Sequence, residues 1–241
     1  MVCSGFYSDK GTSSIKGTYF FRIDLASQEV SNLNLHAFDF ELVNEFLTER
    51  QQRKAQKAIE SDKEPDVPEL YKFSLDHLIL RSDGGAVLVA EQRYSYQTST
   101  YVSGRTYTAN HYVIVVNIRP NGEIEWVKRI PKRQHTTDDN GHFSSYAMTI
   151  TPEGFYFVFN DNARNFEPDS RWLHNFNGKK SIVHLAHLTR DGELNSYPLF
   201  SNRDVNIITR PKICRQTGSR RMIVYGELKR SYRFAVVDFK G

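Results

Sequence analysis

Residues 146–161 read YAMTITPEGFYFVFND, and residues 77–92 read HLILRSDGGAVLVAEQ. Each stretch is an alternating run, a glycine-containing turn, and a second apolar run that ends in polar residues. Period-two alternation and aromatic or β-branched content predict strands. Both stretches continue alike, through HYVIVVNI (111–118) and SIVHLAHL (181–188), a PNGE (120–123) or RDGE (190–193) turn, and EIEWVKRI (123–130) or ELNSYPLF (193–200). Gly85 and Gly154 lie 69 residues apart, and Gly122 and Gly192 lie 70 apart, so the register holds across the unit. Asn121-Gly122 and Asp191-Gly192 predict two-residue hairpin turns in which both positions take φ > 0.

The unit is four sequential strands, A to D. Partial copies flank the two complete ones. MVCSGFYS (1–8), TYFFRID (18–24) and EVSNLNLH (29–36) supply B, C and D; KICRQTG (212–218), MIVYGEL (222–228) and YRFAVVDF (232–239) supply A, B and C. Four-strand antiparallel units repeated along a chain predict an all-β fold and a β-propeller of about four blades with incomplete terminal blades. A β-sandwich gives many short strands without such a cycle. The expected domain is a single propeller over 1–241, or part of a larger one. Self-association through the incomplete blades is an expected consequence.

The Ser82-Asp83-Gly84-Gly85 and Thr151-Pro152-Glu153-Gly154 turns and the NGE/DGE turns resemble those of bacterial β-propeller repeat proteins. The resemblance covers nearly the whole chain outside 38–70 and implies the fold alone. It carries no activity or site across.

Composition agrees with a packed β domain: 39% hydrophobic and 13% aromatic, with 13 Tyr and 16 Phe. Residues 38–61 are the one helical stretch, with Phe38, Leu42, Val43, Phe46 and Leu47 on one face, inside an insertion over 38–70. No membrane-spanning run occurs. The start, MVCSGFYSDK, has neither a charged nor an apolar leader segment and reads as mid-strand, so the natural chain is expected to begin upstream. Location is left open on that basis, the cell envelope and the exterior included. Cys3 and Cys214 are not in a CxxC and are expected as buried free thiols.

The A–B and C–D turns are short, so the chain expands in the B–C and D–A connections, which a propeller gathers on one face. The first, 93–110, brings Tyr94, Tyr96, Tyr101 and Tyr107 among Ser, Thr and Gly. The second, 132–143, brings His135, Asp138, Asp139 and His142. The third, 162–180, brings Arg171, Trp172 and His174 among Asn and Asp. Long loops with rigid aromatics among small polar residues have the chemistry of recognition surfaces. The expected function is a non-catalytic binding module whose ligand is a glycan or a protein. The alternative is a glycan-active hydrolase or lyase on the same face, for which Asp138, Asp139, Asp161, Glu167, Asp169, His111, Arg171 and His174 are available but no pair is fixed by spacing. GxSxG, P-loop, GxGxxG, HExxH and EF-hand patterns are absent. Neither a cofactor nor a metal is expected, and the Asp138-Asp139-Asn140 run reads as a turn.

The net charge of +4 is uneven: residues 202–241 hold ten Lys/Arg against three Asp/Glu. Lys128, Arg129, Lys132, Arg133, Arg220, Arg221, Lys229, Arg230 and Arg233 read as solvated cations, with no nucleic-acid motif beside them. Nucleic acid is therefore not the expected partner.

Overall fold

The computed structural model describes residues 1–11, 13–47, 49–61, 69–99, 104–170 and 172–239. It is mostly β-structure, and its strands follow one another as antiparallel meanders. The first sheet has the order β1 (Val2–Tyr7), β3 (Gly17–Ile23), β4 (Val30–Ala37); β2 (Ser14–Ile15) pairs separately with β5 (Leu70–Tyr71). The second sheet joins β6 (Phe73–Leu80), β7 (Ala86–Ser99) and β8 (Gly104–Ile118), with β9 (Ile124–Ile130) and β10 (Gln134–Thr137) both pairing with β8. The third runs β11 (Ala147–Thr151), β12 (Gly154–Asp161), β13 (Ile182–Thr189), β14 (Leu194–Ser201). The fourth centres on β17 (Arg221–Leu228), paired with β15 (Ile208–Thr209), β16 (Arg215–Gly218) and β18 (Ser231–Asp238). The apolar runs read as strands from the sequence all fall on strands, and β2, β5, β10 and β15 are added to them.

The chain forms two compact units, 1–90 with 114–127, and 91–113 with 128–241. In unit one, Phe20 packs with Ala86, Leu88, Ile114, Val116 and Ile118. In unit two, Tyr156, Val158 and Val183 pack with Met222 and Val224. Each core is thus made by one sheet laid on the next. β12 is buried at all eight positions, which explains why FYFVFND reads as a continuous apolar run rather than an alternating one.

Three expectations need correction. The helix over 38–61 is two helices, α1 (Phe40–Asn44) and α2 (Glu49–Glu60). Asp39 caps α1 by accepting from the Leu42 N–H, and Phe38 and Val43 bury in the first core with Leu42, Phe46 and Leu47 beside them. After Thr48 the sequence turns to mostly charged and polar residues, with Ala55, Ala58 and Ile59 the apolar ones among them.

The glycine turns are not two-residue hairpins. Arg119 N–H donates to the Glu123 carbonyl and Gly122 N–H to Arg119; Thr189, Glu193 and Gly192 repeat the pattern. Only the glycine, at φ 91° or 85°, enters the left-handed region. This is the three-residue form, a type I turn followed by an αL glycine.

The 93–110 connection is not a loop. β7 runs on to Ser99 and β8 starts at Gly104, because the Tyr/Thr alternation in this segment favours extended pairing.

Candidate functional site

The extension of β7 and β8 places side chains that a loop would leave scattered. Tyr96 of β7 and Tyr107 of β8 stack with ring centroids 5.0 Å apart and 12° between planes. His135 of β10 lies 5.6 Å from Tyr107 and 6.0 Å from Tyr96, and its Nε2 is 3.2 Å from the Tyr96 hydroxyl. The β10–β8 register sets His135 opposite Ala109, on the strand that carries Tyr107 two residues earlier. Tyr94 meets His111 edge to face at 5.9 Å. Tyr94, Tyr96, Tyr107 and His135 of the expected set therefore share one surface, and His111 joins them.

The neighbouring connection is tied to this surface through one side chain. Asn175 accepts from the His135 N–H at 2.8 Å and donates to the His135 carbonyl at 3.1 Å. It mimics a β-strand partner for β10. Phe176 N–H donates to the Arg133 carbonyl at 2.9 Å in the same manner. His174 is held by Asn165, which accepts from its N–H at 2.7 Å, and Trp172 projects with 67% of its surface exposed. Tyr101 and Arg171 lie outside the described residues.

Asp138 and Asp139 do another job. The Asp138 carboxylate accepts from the Thr106 N–H at 2.8 Å, and Asp138 itself sits at φ 55°. The Asp139 carboxylate accepts from Thr136 Oγ1 and the Gly141 N–H. Asp138 holds the 138–143 turn against β8, and Asp139 ties it to β10. His142 faces away from them and pairs with Glu227 at 2.7 Å, where Arg210 and the Tyr225 hydroxyl also converge; these contacts draw the Glu227 carboxyl below the usual range, His142 first.

Sequence reading missed what lies under the aromatic surface. Glu91 and Lys132, both with fully buried side chains, form an ion pair of 2.7 Å. The Lys132 ammonium also donates to the Asn110 carbonyl at 2.9 Å and to Gln134 Oε1 at 3.0 Å, using all three protons. Asn110 Nδ2 and Ser145 Oγ donate to the other Glu91 oxygen, both at 2.9 Å. Gln134 continues the chain to the Asn160 carbonyl, and Asn160 reaches Phe143, Thr209 and Asn202. A second buried pair, Asp161 Oδ2 to His184 Nδ1 at 2.8 Å, anchors the 162–166 turn through the Asn162 N–H and Asn165 Nδ2. Lys132 is thus not a surface cation. Arg220 and Arg221 are paired with Glu153 and Asp238.

Burial holds His111 at a pKa of about 4, aided by the positive charges of Lys132, Arg133 and His135 and opposed by Glu91. The ring is therefore neutral at pH 7. Its unfolded value is about 6.5. Between pH 6.5 and 4 the unfolded chain takes a proton that the folded chain refuses, so stability must fall as pH is lowered through that window. His111→Gln is expected to flatten this part of a melting-temperature profile measured from pH 7 to 4. An unchanged slope would show that His111 is not the group responsible.

A cleft of about 590 Å³ in unit one is lined by Asp39, Glu41, Glu45, Glu123, Glu125 and Trp126. Every residue expected in the site belongs instead to unit two. Comparison with protein-family models, with curated proteins and with solved structures finds no match for this chain.

Proposed function

We propose that the four sheets are blades of a β-propeller and that the Tyr96–Tyr107–His135 surface is the ligand-binding face of a non-catalytic recognition module for a glycan or a protein. Two features support the propeller part: the sheets are built mainly from sequential antiparallel hairpins, and each unit makes its core by laying one sheet on the next.

The binding part is carried by one observation: three rings from three strands are held together above a rigid, buried polar base. A stacked tyrosine pair offers a broad apolar surface at little cost in side-chain entropy. Such a surface suits the C–H face of a sugar ring or an aromatic or proline side chain of a protein loop. The His135–Tyr96 bond and Asn175 supply polar groups beside it. Asp138 and Asp139 hold a turn, which suits recognition better than acid–base work.

Tyr96→Ala is expected to weaken binding about tenfold, since truncating an aromatic anchor at an interface costs more than about 1 kcal/mol. Titration of a glycan and protein panel, followed by amide chemical shifts, would find the ligand. A ligand whose affinity is indifferent to both Tyr96→Ala and Tyr107→Ala would remove this surface from consideration.

A further inference from the structure

The buried polar base fixes which side chains of β7, β8 and β10 face outward. Glu91, Asn110, Lys132 and Gln134 bond to one another beneath the sheet. Side chains alternate along a strand, so Tyr94 and Tyr96, Arg105 and Tyr107, and Arg133 and His135 stand on the opposite face. All of them belong to unit two.

This face carries cations and no opposing charge. Among the described residues, neither Asp nor Glu occupies an outward position of β7 from Gln92 to Thr98, of β8 from Arg105 to His111, or of β10. Arg105 and Arg133 are exposed, and among the described residues neither has a carboxylate partner. Arg164, Arg210, Arg220 and Arg221 of the same unit each have one. At the Arg105 end, the Asp138 carboxylate is committed to the Thr106 N–H.

Arg133 is also held in place. Its Nη1 donates to the Leu173 carbonyl at 3.3 Å, its own carbonyl accepts from the Phe176 N–H, and the exposed Trp172 precedes Leu173. The rest of the guanidinium fork is left to bind an oxyanion. The pairing Gln134↔Asn110 sets Arg133 beside His111, and Arg105 lies six residues back along β8. At about 3.4 Å per residue the two arginines stand roughly 20 Å apart, with the rings between them.

We propose that the ligand of this surface is an acidic polysaccharide, an extended chain whose sugar rings lie over the tyrosines and whose carboxylate or sulfate groups meet Arg133 and Arg105. The proposal rests on this surface being the binding face and names the class of ligand it takes. A guanidinium offers paired N–H donors that match an oxyanion, and a fixed one loses little freedom on binding. Two cations this far apart suit a polymer of sparse charge. A nucleic-acid strand carries a phosphate about every 3.4 Å along a duplex axis, so most phosphates over this span would meet neither arginine.

Calorimetric titration at low salt with polygalacturonate and with dextran sulfate, each beside its uncharged counterpart (the methyl ester and dextran), tests this. At least one acidic polymer is expected to bind about tenfold or more tightly than its counterpart, and to weaken as salt is raised. Tyr96→Ala and Arg133→Gln are each expected to weaken that binding about tenfold. Arg230→Gln removes the same charge from an exposed turn of the fourth sheet and is expected to change nothing, which separates recognition from the general attraction of a basic chain to a polyanion.

The proposal is overturned if neither acidic polymer binds, or if Arg133→Gln and Arg230→Gln weaken binding equally. An uncharged glycan bound as tightly, with the same loss in Tyr96→Ala, also overturns it but leaves the surface as a binding face. Acidic polymers indifferent to both Tyr96→Ala and Tyr107→Ala remove the surface itself. Polyglutamate or a single-stranded oligonucleotide that binds more tightly than either polysaccharide, with the same dependence on Tyr96 and Arg133, overturns the ligand class alone. Melting curves check folding; Tyr107→Ala and Arg105→Gln replace either variant that fails to fold.

Discussion

Lys132→Met is expected to lower the unfolding free energy by about 3–5 kcal/mol, because it removes the ammonium bonded to the buried Glu91 carboxylate and leaves it only the longer cationic contact to Arg93 at 3.6 Å. For a chain of this size that is a fall of about 6–20 °C in melting temperature. Removing both charges should be far milder. The double variant Glu91→Gln with Lys132→Met retains an amide oxygen for Asn110 and Ser145 and buries no charge, and replacing both members of a buried pair is often close to neutral. The surface change Lys128→Met should stay within about 0.5 kcal/mol.

Denaturant melts of the parent, the single and the double variant at pH 7 would decide it. A single variant as stable as the parent would mean that the contact between Lys132 and Glu91 carries no energetic weight.

The succession of strands was readable because its marks are local. Gly85, Gly154 and Gly218 precede apolar runs, which end in Glu91, Asn160 and Glu227. That last feature carried more than its position suggested. Glu91 accepts from Lys132 and Ser145, Asn160 donates to Phe143 and Thr209, and Glu227 meets His142 and Arg210. In these three strands the polar residue near the end ties down connecting chain.

What was not readable has a common cause. Lys132 stands beside Arg133 in a run that reads as basic surface, yet period-two geometry sends one inward and the other outward, and its partner Glu91 is 41 residues away. The tyrosines at 94, 96 and 107 were recognisable as a surface by composition. Their stacking depended on the two strands continuing past the point where the apolar pattern stops. Turn and loop residues such as Ser and Thr alternate with Tyr there, and only cross-strand pairing distinguishes a long hairpin from a loop. Asn175, which binds that hairpin's neighbour, carries no local mark at all.

A strand-opening glycine admits the second large effect. Gly154 opens β12 at φ 148°, and a Cβ there would lie 2.2 Å from the Leu188 carbonyl oxygen and 2.9 Å from the Thr189 Cα. Both obstacles are backbone of β13, paired to β12 along its length, so neither can move without breaking the ladder. Gly85 meets the Ile118 carbonyl in the same way, at 2.4 Å, which is the physical reason for a glycine at this pitch.

Gly154→Val is expected to cost about 3 kcal/mol or more, combining overpacking with a backbone conformation that a β-branched residue resists. Gly178 separates the two contributions. Its φ is +64°, and a Cβ would meet nothing within 4 Å. Gly178→Ala therefore pays conformational strain alone, about 1 kcal/mol. If urea melts put Gly154→Val and Gly178→Ala at the same stability, the close approach of β13 has no energetic weight, and the glycine at this pitch serves only the turn.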